Sequence, residues 1–71
     1  MTSIYKPVEP INSLVLKNED TAFKSYKLYV HFENGNVLMY KAFAIRKQAV
    51  SFSKRYAKSL GVLLRFDGVK P

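Results

Sequence analysis

Between Tyr26 and Phe66 the spacing of apolar residues changes twice, and those two changes leave few folds open. From Tyr26 to Phe43, β-branched and aromatic residues alternate with others on either side of Glu33-Asn34-Gly35-Asn36. A period of two sends successive side chains to opposite faces of a strand, so this stretch predicts a β-hairpin. Asn34-Gly35 tolerates the positive φ that a two-residue type I′ turn needs at both central positions. Such a turn sets the register: Phe32 opposite Val37, Val30 opposite Met39, Leu28 opposite Lys41 and Tyr26 opposite Phe43, all on the core face. The other face then carries Lys27, Tyr29, His31 and Glu33 against Ala42, Tyr40, Leu38 and Asn36, with Tyr29 directly across from Tyr40.

After Ala44 the period lengthens. Ile45, Ala49, Phe52, Tyr56 and Leu60 recur at spacings of three and four, which predicts a helix with those five residues as its buried stripe. Gly61 follows where a left-handed C-terminal cap is expected. Val62 to Phe66 then returns to the period of two, with Val62, Leu64 and Phe66 turned to the core and Leu63 and Arg65 outward, closed by Asp67-Gly68. A right-handed crossover would set this strand beside the first strand of the hairpin, in the order 2-1-3, with a place beside the second strand as the alternative.

Upstream, Pro7 and Pro10 fix φ and restrain the residues before them, so residues 1–17 read as an extended N-terminal arm, with Leu14-Val15-Leu16 suited to a short strand over 13–17. Asn18-Glu19-Asp20-Thr21 reads as a loop or a single turn. The expected organisation is therefore that arm followed by a ββαβ domain over 18–71. The fold class is α+β: a small three-stranded sheet, or four-stranded if the arm joins it, antiparallel or mixed, with one helix on one face.

With 71 residues the chain makes one domain with a thin core. It has no cysteine to staple that core, so packing and self-association are the means of stability available to it. The absence of cysteine also fits a reducing compartment, and a cytoplasmic location is expected. Apolar residues at 48% and aromatics at 14% are too abundant for a disordered chain. No stretch has the apolar length of a membrane span, and the first residues lack a secretory pattern.

Catalytic material is sparse. His31 is the single histidine, and the five carboxylates are scattered over the arm, loops and a turn. His31 and Glu33 share one side of a strand, but two ligands fall short of the three or four a metal asks for. The three glycines, Gly35, Gly61 and Gly68, stand singly and form no phosphate loop. No enzyme activity, metal or cofactor is expected, and the helix lacks the broad bulky apolar face of a membrane anchor.

Charge carries the functional reading. Twelve Lys and Arg stand against five Asp and Glu, for a net charge of +7. Five of those bases, Arg46, Lys47, Lys54, Arg55 and Lys58, fall on the helix without one carboxylate among them. At about 100° per residue Lys47, Lys54 and Lys58 cluster into a ridge, with Arg55 to one side. Lys54 and Lys58 repel at that spacing, and Arg46 and Lys47 oppose the positive end of the helix dipole, so stability alone does not select the arrangement. An ordinary solvated lysine face is the plainer account of the same residues. The second candidate surface is the outer sheet face, where Lys27, Tyr29, His31, Tyr40 and Arg65 would join ring faces with positive charge, a pattern suited to a single strand or an RNA loop.

Phe43-Ala44-Ile45-Arg46-Lys47-Gln48-Ala49 resembles the strand-to-helix junction of the small AP2-like and integrase arm-binding DNA-binding domains over that one segment. Those domains place Ser or Thr where this chain has Ala44, and no residue role is carried over.

The expected function is a small basic binding protein whose partner is nucleic acid, DNA or RNA, held by the helix ridge, the sheet face or both. The alternative is a small protein-interaction factor, an inhibitor or modulator docking on an acidic surface of a larger protein or complex, with homodimerisation also open.

Overall fold

The computed structural model of the chain describes residues 10–20 and 25–70. Its elements run β1 (Ile11–Asp20), β2 (Ser25–Phe32), β3 (Val37–Phe43), α1 (Arg46–Leu60) and β4 (Leu63–Asp67). The four strands form one mixed sheet in the order β3-β2-β1-β4, with α1 packed on one face. The α+β class and the order of hairpin, helix and strand are as the sequence implies, but the sheet has four strands because residues 11–20 enter it.

Those residues correct the expectation for the N-terminal part. The strand suggested over 13–17 extends from Ile11 to Asp20, and Asn18 to Asp20 is strand rather than loop. β1 pairs antiparallel with β2, Leu14 opposite Val30 and Leu16 opposite Leu28. On its other side it pairs parallel with β4, Leu14 opposite Leu64 and Leu16 opposite Phe66. The fourth strand therefore lies beside β1, neither beside β2 nor beside β3 as the two sequence-based placements had it. Leu14 and Leu16 are the physical reason. Both have no exposed surface, and a central strand buries a leucine on both flanks where an arm would leave it wet. Residues 1–9 of the expected arm, with Thr21, lie outside the described residues.

The hairpin closes differently from a two-residue turn. Gly35 N–H donates to Phe32 O at 3.0 Å and Phe32 N–H to Asn36 O at 2.9 Å. The loop is thus three residues, Glu33 to Gly35, with Gly35 at φ 94°, the type I turn plus glycine bulge that is the next commonest hairpin closure. One extra residue in the turn slips the register by one: Val37 faces His31, Leu38 faces Val30 and Met39 faces Tyr29. A second irregularity, between Leu28 and Tyr29, leaves Tyr40 without an opposite residue and restores Lys41 to Leu28, Ala42 to Lys27 and Phe43 to Tyr26. The pairs expected near the helix-proximal end of the hairpin hold. Those expected between the bulges do not, because a one-residue slip turns each side chain to the opposite face.

α1 begins at Ile45, which has extended backbone angles and offers no side-chain cap. It ends at Gly61 with φ 70°, where Gly61 N–H donates to Lys58 O at 3.3 Å and Val62 N–H to Ala57 O at 3.1 Å. That is the reciprocal pair of a Schellman cap, which a residue with a Cβ would strain. The buried helix residues are Ala49, Val50, Ser53 and Ala57. Of the expected stripe, Ala49 is buried, Phe52, Tyr56 and Leu60 are half-buried, and Ile45 is 53% exposed. The helix is turned by roughly 75° from the orientation the expected stripe suggests, on a helical wheel of about 100° per residue. Ala49, Ser53 and Ala57, four residues apart, let the helix axis approach the leucines of β1 and β2. Phe52 and Tyr56 then splay toward β3. Val69, past the end of β4, is buried as well, and Arg46 holds that tail by donating from Nη1 to Lys70 O at 2.9 Å.

Ser53 is fully buried and its Oγ has no hydrogen-bond partner. Replacing it with alanine removes the desolvated hydroxyl, so Ser53→Ala should stabilise the domain by about 1 kcal/mol, read as a higher urea midpoint at unchanged m-value. By contrast Leu28→Ala should cost about 2–5 kcal/mol, enough to unfold most of a domain this small.

Candidate nucleic-acid interface

The face of the sheet away from α1 carries three rows that cross all four strands. Val37, His31, Ser13 and Leu63 make one row, Met39, Tyr29, Val15 and Arg65 the next, and Ala42, Lys27, Lys17 and Asp67 the third. Among the described residues no helix or strand packs on this face. Val15, Lys17, Tyr29, His31, Val37 and Arg65 line an open depression of about 410 Å³ in it.

The chemistry of this face is mixed by row. Lys17 and Lys27 stand directly opposite one another, an arrangement of like charge that costs a sheet rather than helps it. Asp67 offsets Lys17 in part, with Nζ and Oδ2 4.0 Å apart and both side chains about half exposed or more, a pair worth little in water. Arg65 sits one row away, beside Val15 and in line with Tyr29. Val37, Met39 and Leu63 add apolar surface at 54%, 46% and 61% exposure. Lys17, Val15, Val37 and Met39 were missed as site residues. The parity of β1 gives Lys17 and Val15 the same side, but only once β1 is known to lie next to β2. For Val37 and Met39 the signal is hidden by the register slip.

Tyr40 is absent from this face, and that overturns the expected Tyr29–Tyr40 pair. The bulge turns Tyr40 under the helix, where its ring lies 4.8 Å from that of Tyr56 at 6° and 6.3 Å from that of Phe52. Phe43 meets Phe52 at 5.4 Å. Lys41 folds over this group, its Nζ 4.6 Å from the centre of the Phe52 ring and 5.5 Å from that of Phe43. Stacked pairs contribute beyond their buried area, and four rings sharing one flank explain why a bulge at Tyr40 is favoured over an unbroken ladder.

The helix bases divide three ways. Lys47, Lys54 and Lys58 are exposed and share a flank of α1 beyond Val50, so the structure brings them together as a ridge. Arg55 stands between that ridge and the aromatic flank and lines two surface depressions with Phe52, one of them together with Lys47. Arg46 is committed to the backbone of Lys70. Because the ridge is on the helix layer and Lys27, Tyr29 and Arg65 are on the far side of the sheet, the two surfaces face apart and do not form one site.

No group of three or more His, Cys, Asp or Glu that would hold a metal occurs among the described residues. Nor, among the described residues, is any helix long and apolar enough to cross a membrane. Comparison with family models, curated proteins and solved structures gives no match to this chain.

The placement of Tyr40 has a direct thermodynamic test. In a double-mutant cycle of Tyr40→Ala and Tyr56→Ala, urea unfolding should return a coupling of about 0.5–1.5 kcal/mol. Additive effects would return Tyr40 to the outer face.

Proposed function

We propose that the protein is a non-catalytic nucleic-acid-binding module that takes a single strand across the outer face of its sheet. The observation that carries this reading is the juxtaposition of Lys17 opposite Lys27, with Tyr29 and Arg65 in the adjoining row, on a face no described element covers. The two lysines attract a phosphate group, and Arg65 holds a second by its planar fork. The Tyr29 ring offers a base a surface to stack on, and His31 and the exposed Val37 and Met39 extend the apolar ground on either side. Such a site recognises the strand's backbone and ring faces rather than a base sequence.

The net charge of +7 supports the reading by drawing a polyanion toward the domain from beyond contact distance. The lysine ridge of α1 adds to this field without touching the strand.

A second reading, docking on an acidic surface of a larger protein, is favoured by one specific observation: the exposed apolar residues Val37, Leu38 and Met39 fall consecutively on an edge strand. Binding of that kind leaves the outer-face cations without a defined role.

Fluorescence anisotropy with a labelled oligothymidylate and its RNA counterpart separates the readings. Affinity should fall steeply with salt, and Lys27→Glu or Arg65→Glu should each flatten the slope of log K against log salt by about 0.7, the value for one phosphate contact on a single strand. Tyr29→Ala should cost about 1–3 kcal/mol in binding while Lys54→Glu leaves the outer-face contribution in place. No binding at low salt, or equal losses from Lys54→Glu and Arg65→Glu, would sink the proposal.

A further inference from the structure

The outer edge of β3 lies between the two faces of the sheet: Val37 and Met39 border the proposed strand-binding face, while Leu38 and Lys41 turn toward the helix. In the order β3-β2-β1-β4 only β2 pairs with β3, and among the described residues no strand takes its other edge. Five of its seven residues are exposed. Natural edge strands are usually kept short, charged or covered, since their open N–H and C=O groups template pairing with another chain. This edge instead presents Val37, Leu38 and Met39 in a row.

Its polar groups are aimed outward in a definite pattern. Phe32 and Asn36 form the hydrogen-bonded pair next to the turn. In an antiparallel ladder such pairs alternate with pairs that leave their groups pointing away. Val30 and Leu38 thus bond to each other, while Val37 and Met39 turn their N–H and C=O toward the open edge. A chain laid along β3 finds two residues ready to pair before the bulge at Tyr40.

Beside that edge the helix supplies a wall. Phe43, Ile45 and Phe52 with Lys47 and Arg55 line one depression, and Phe52, Tyr56, Arg55 and Ser59 line the next along the helix. Ile45 is exposed at the N-cap, where Ser, Thr, Asp or Asn would stabilise the helix. Isoleucine offers the helix no capping hydrogen bond, and its side chain is placed as part of this wall. Charge identifies the occupant: Val37 to Leu60 contains six Lys and Arg and not one Asp or Glu, with Lys41 on the strand itself and Arg55 beside Phe52 on the helix wall.

We infer that β3 receives an extended acidic peptide segment by strand addition, its backbone pairing with Val37 and Met39 and its carboxylates meeting Lys41 and Arg55. Alternate side chains of such a peptide drop toward the helix wall, and the main-chain bonds supply affinity while the wall supplies selection. A second copy of the chain is disfavoured at this edge, because like basic residues would be brought together across the junction.

The test is an NMR titration of the isotope-labelled full chain with a capped octapeptide alternating valine and glutamate, against its valine–lysine counterpart. The glutamate peptide should shift amides of β3 and of α1 around Arg55, and the lysine peptide should leave them in place. Met39→Pro removes an outward N–H without taking a bond from the β2–β3 ladder, and it should abolish the shifts. Arg55→Glu changes an exposed side chain, keeps the fold, and should weaken binding by about fivefold. The inference is overturned if both peptides act alike, if the shifts fall on Lys17, Tyr29 and Arg65 instead, or if β3 amides broaden with protein concentration alone, which would give the edge to a second copy. Val37 and Met39 border both surfaces, whereas Arg55 lies away from the proposed strand-binding face, so Arg55→Glu should weaken peptide binding and leave oligothymidylate affinity in place, which keeps the two readings distinguishable.

Discussion

Everything in this domain hangs on β1 being paired on both sides. Leu14 and Leu16 are wholly enclosed because β2 lies on one flank, β4 on the other and the small residues of α1 above. Without β1 the hairpin and the last strand have no partner in common: β2 and β4 touch only through it. A parallel neighbour also requires that the chain cross the sheet between β3 and β4, and α1 is that crossing. The central strand therefore dictates where the helix packs, and the helix in turn leaves the opposite face of the sheet uncovered.

Two irregularities within one hairpin decide which side chains reach that face. The glycine bulge at the turn slips the register by one, and the bulge at Tyr40 slips it back. Between them Val37 and Met39 become outer-face residues and Leu38 an inner one. Tyr40 goes under the helix to join Phe52 and Tyr56. The result is a division of labour among aromatic residues. Tyr29 remains on the outer face with the basic residues of β1, β2 and β4, while Tyr40, Phe43, Phe52 and Tyr56 build the flank that anchors β3 to α1.

The hairpin, the helix with its Gly61 cap and the final strand were legible because each rests on local rules, namely a period of two, a period of three to four and a left-handed glycine. The role of residues 11–20 was not, since a run of three apolar residues, Leu14 to Leu16, between polar neighbours has no period to read. Its membership of the sheet comes from pairing with partners far along the chain. The turn was misread because Asn34-Gly35 serves a three-residue loop as well as a two-residue one, and the difference appears only in which carbonyl Gly35 N–H meets. The large residues Phe52, Tyr56 and Leu60 dominate the helical period, yet the small row Ala49, Ser53 and Ala57, equally visible in the sequence, is the one that faces the sheet. Of the candidate bases, the ridge at Lys47, Lys54 and Lys58 with Arg55 to one side follows from the helical period and the outward placement of Lys27 and Arg65 from strand parity, whereas Arg46's bond to Lys70 depends on tertiary packing.

The central claim is that the register slip leaves Tyr29, and not Tyr40, on the surface that meets a nucleic-acid strand. Photo-cross-linking of a thiothymidine-bearing oligonucleotide, with the attachment site read by mass spectrometry, tests this at residue level. The account expects attachment on β2 at or beside Tyr29, with His31 or Met39 as secondary sites. Attachment at Tyr40, Phe52 or Tyr56, or along the Lys47–Lys58 ridge, would contradict it.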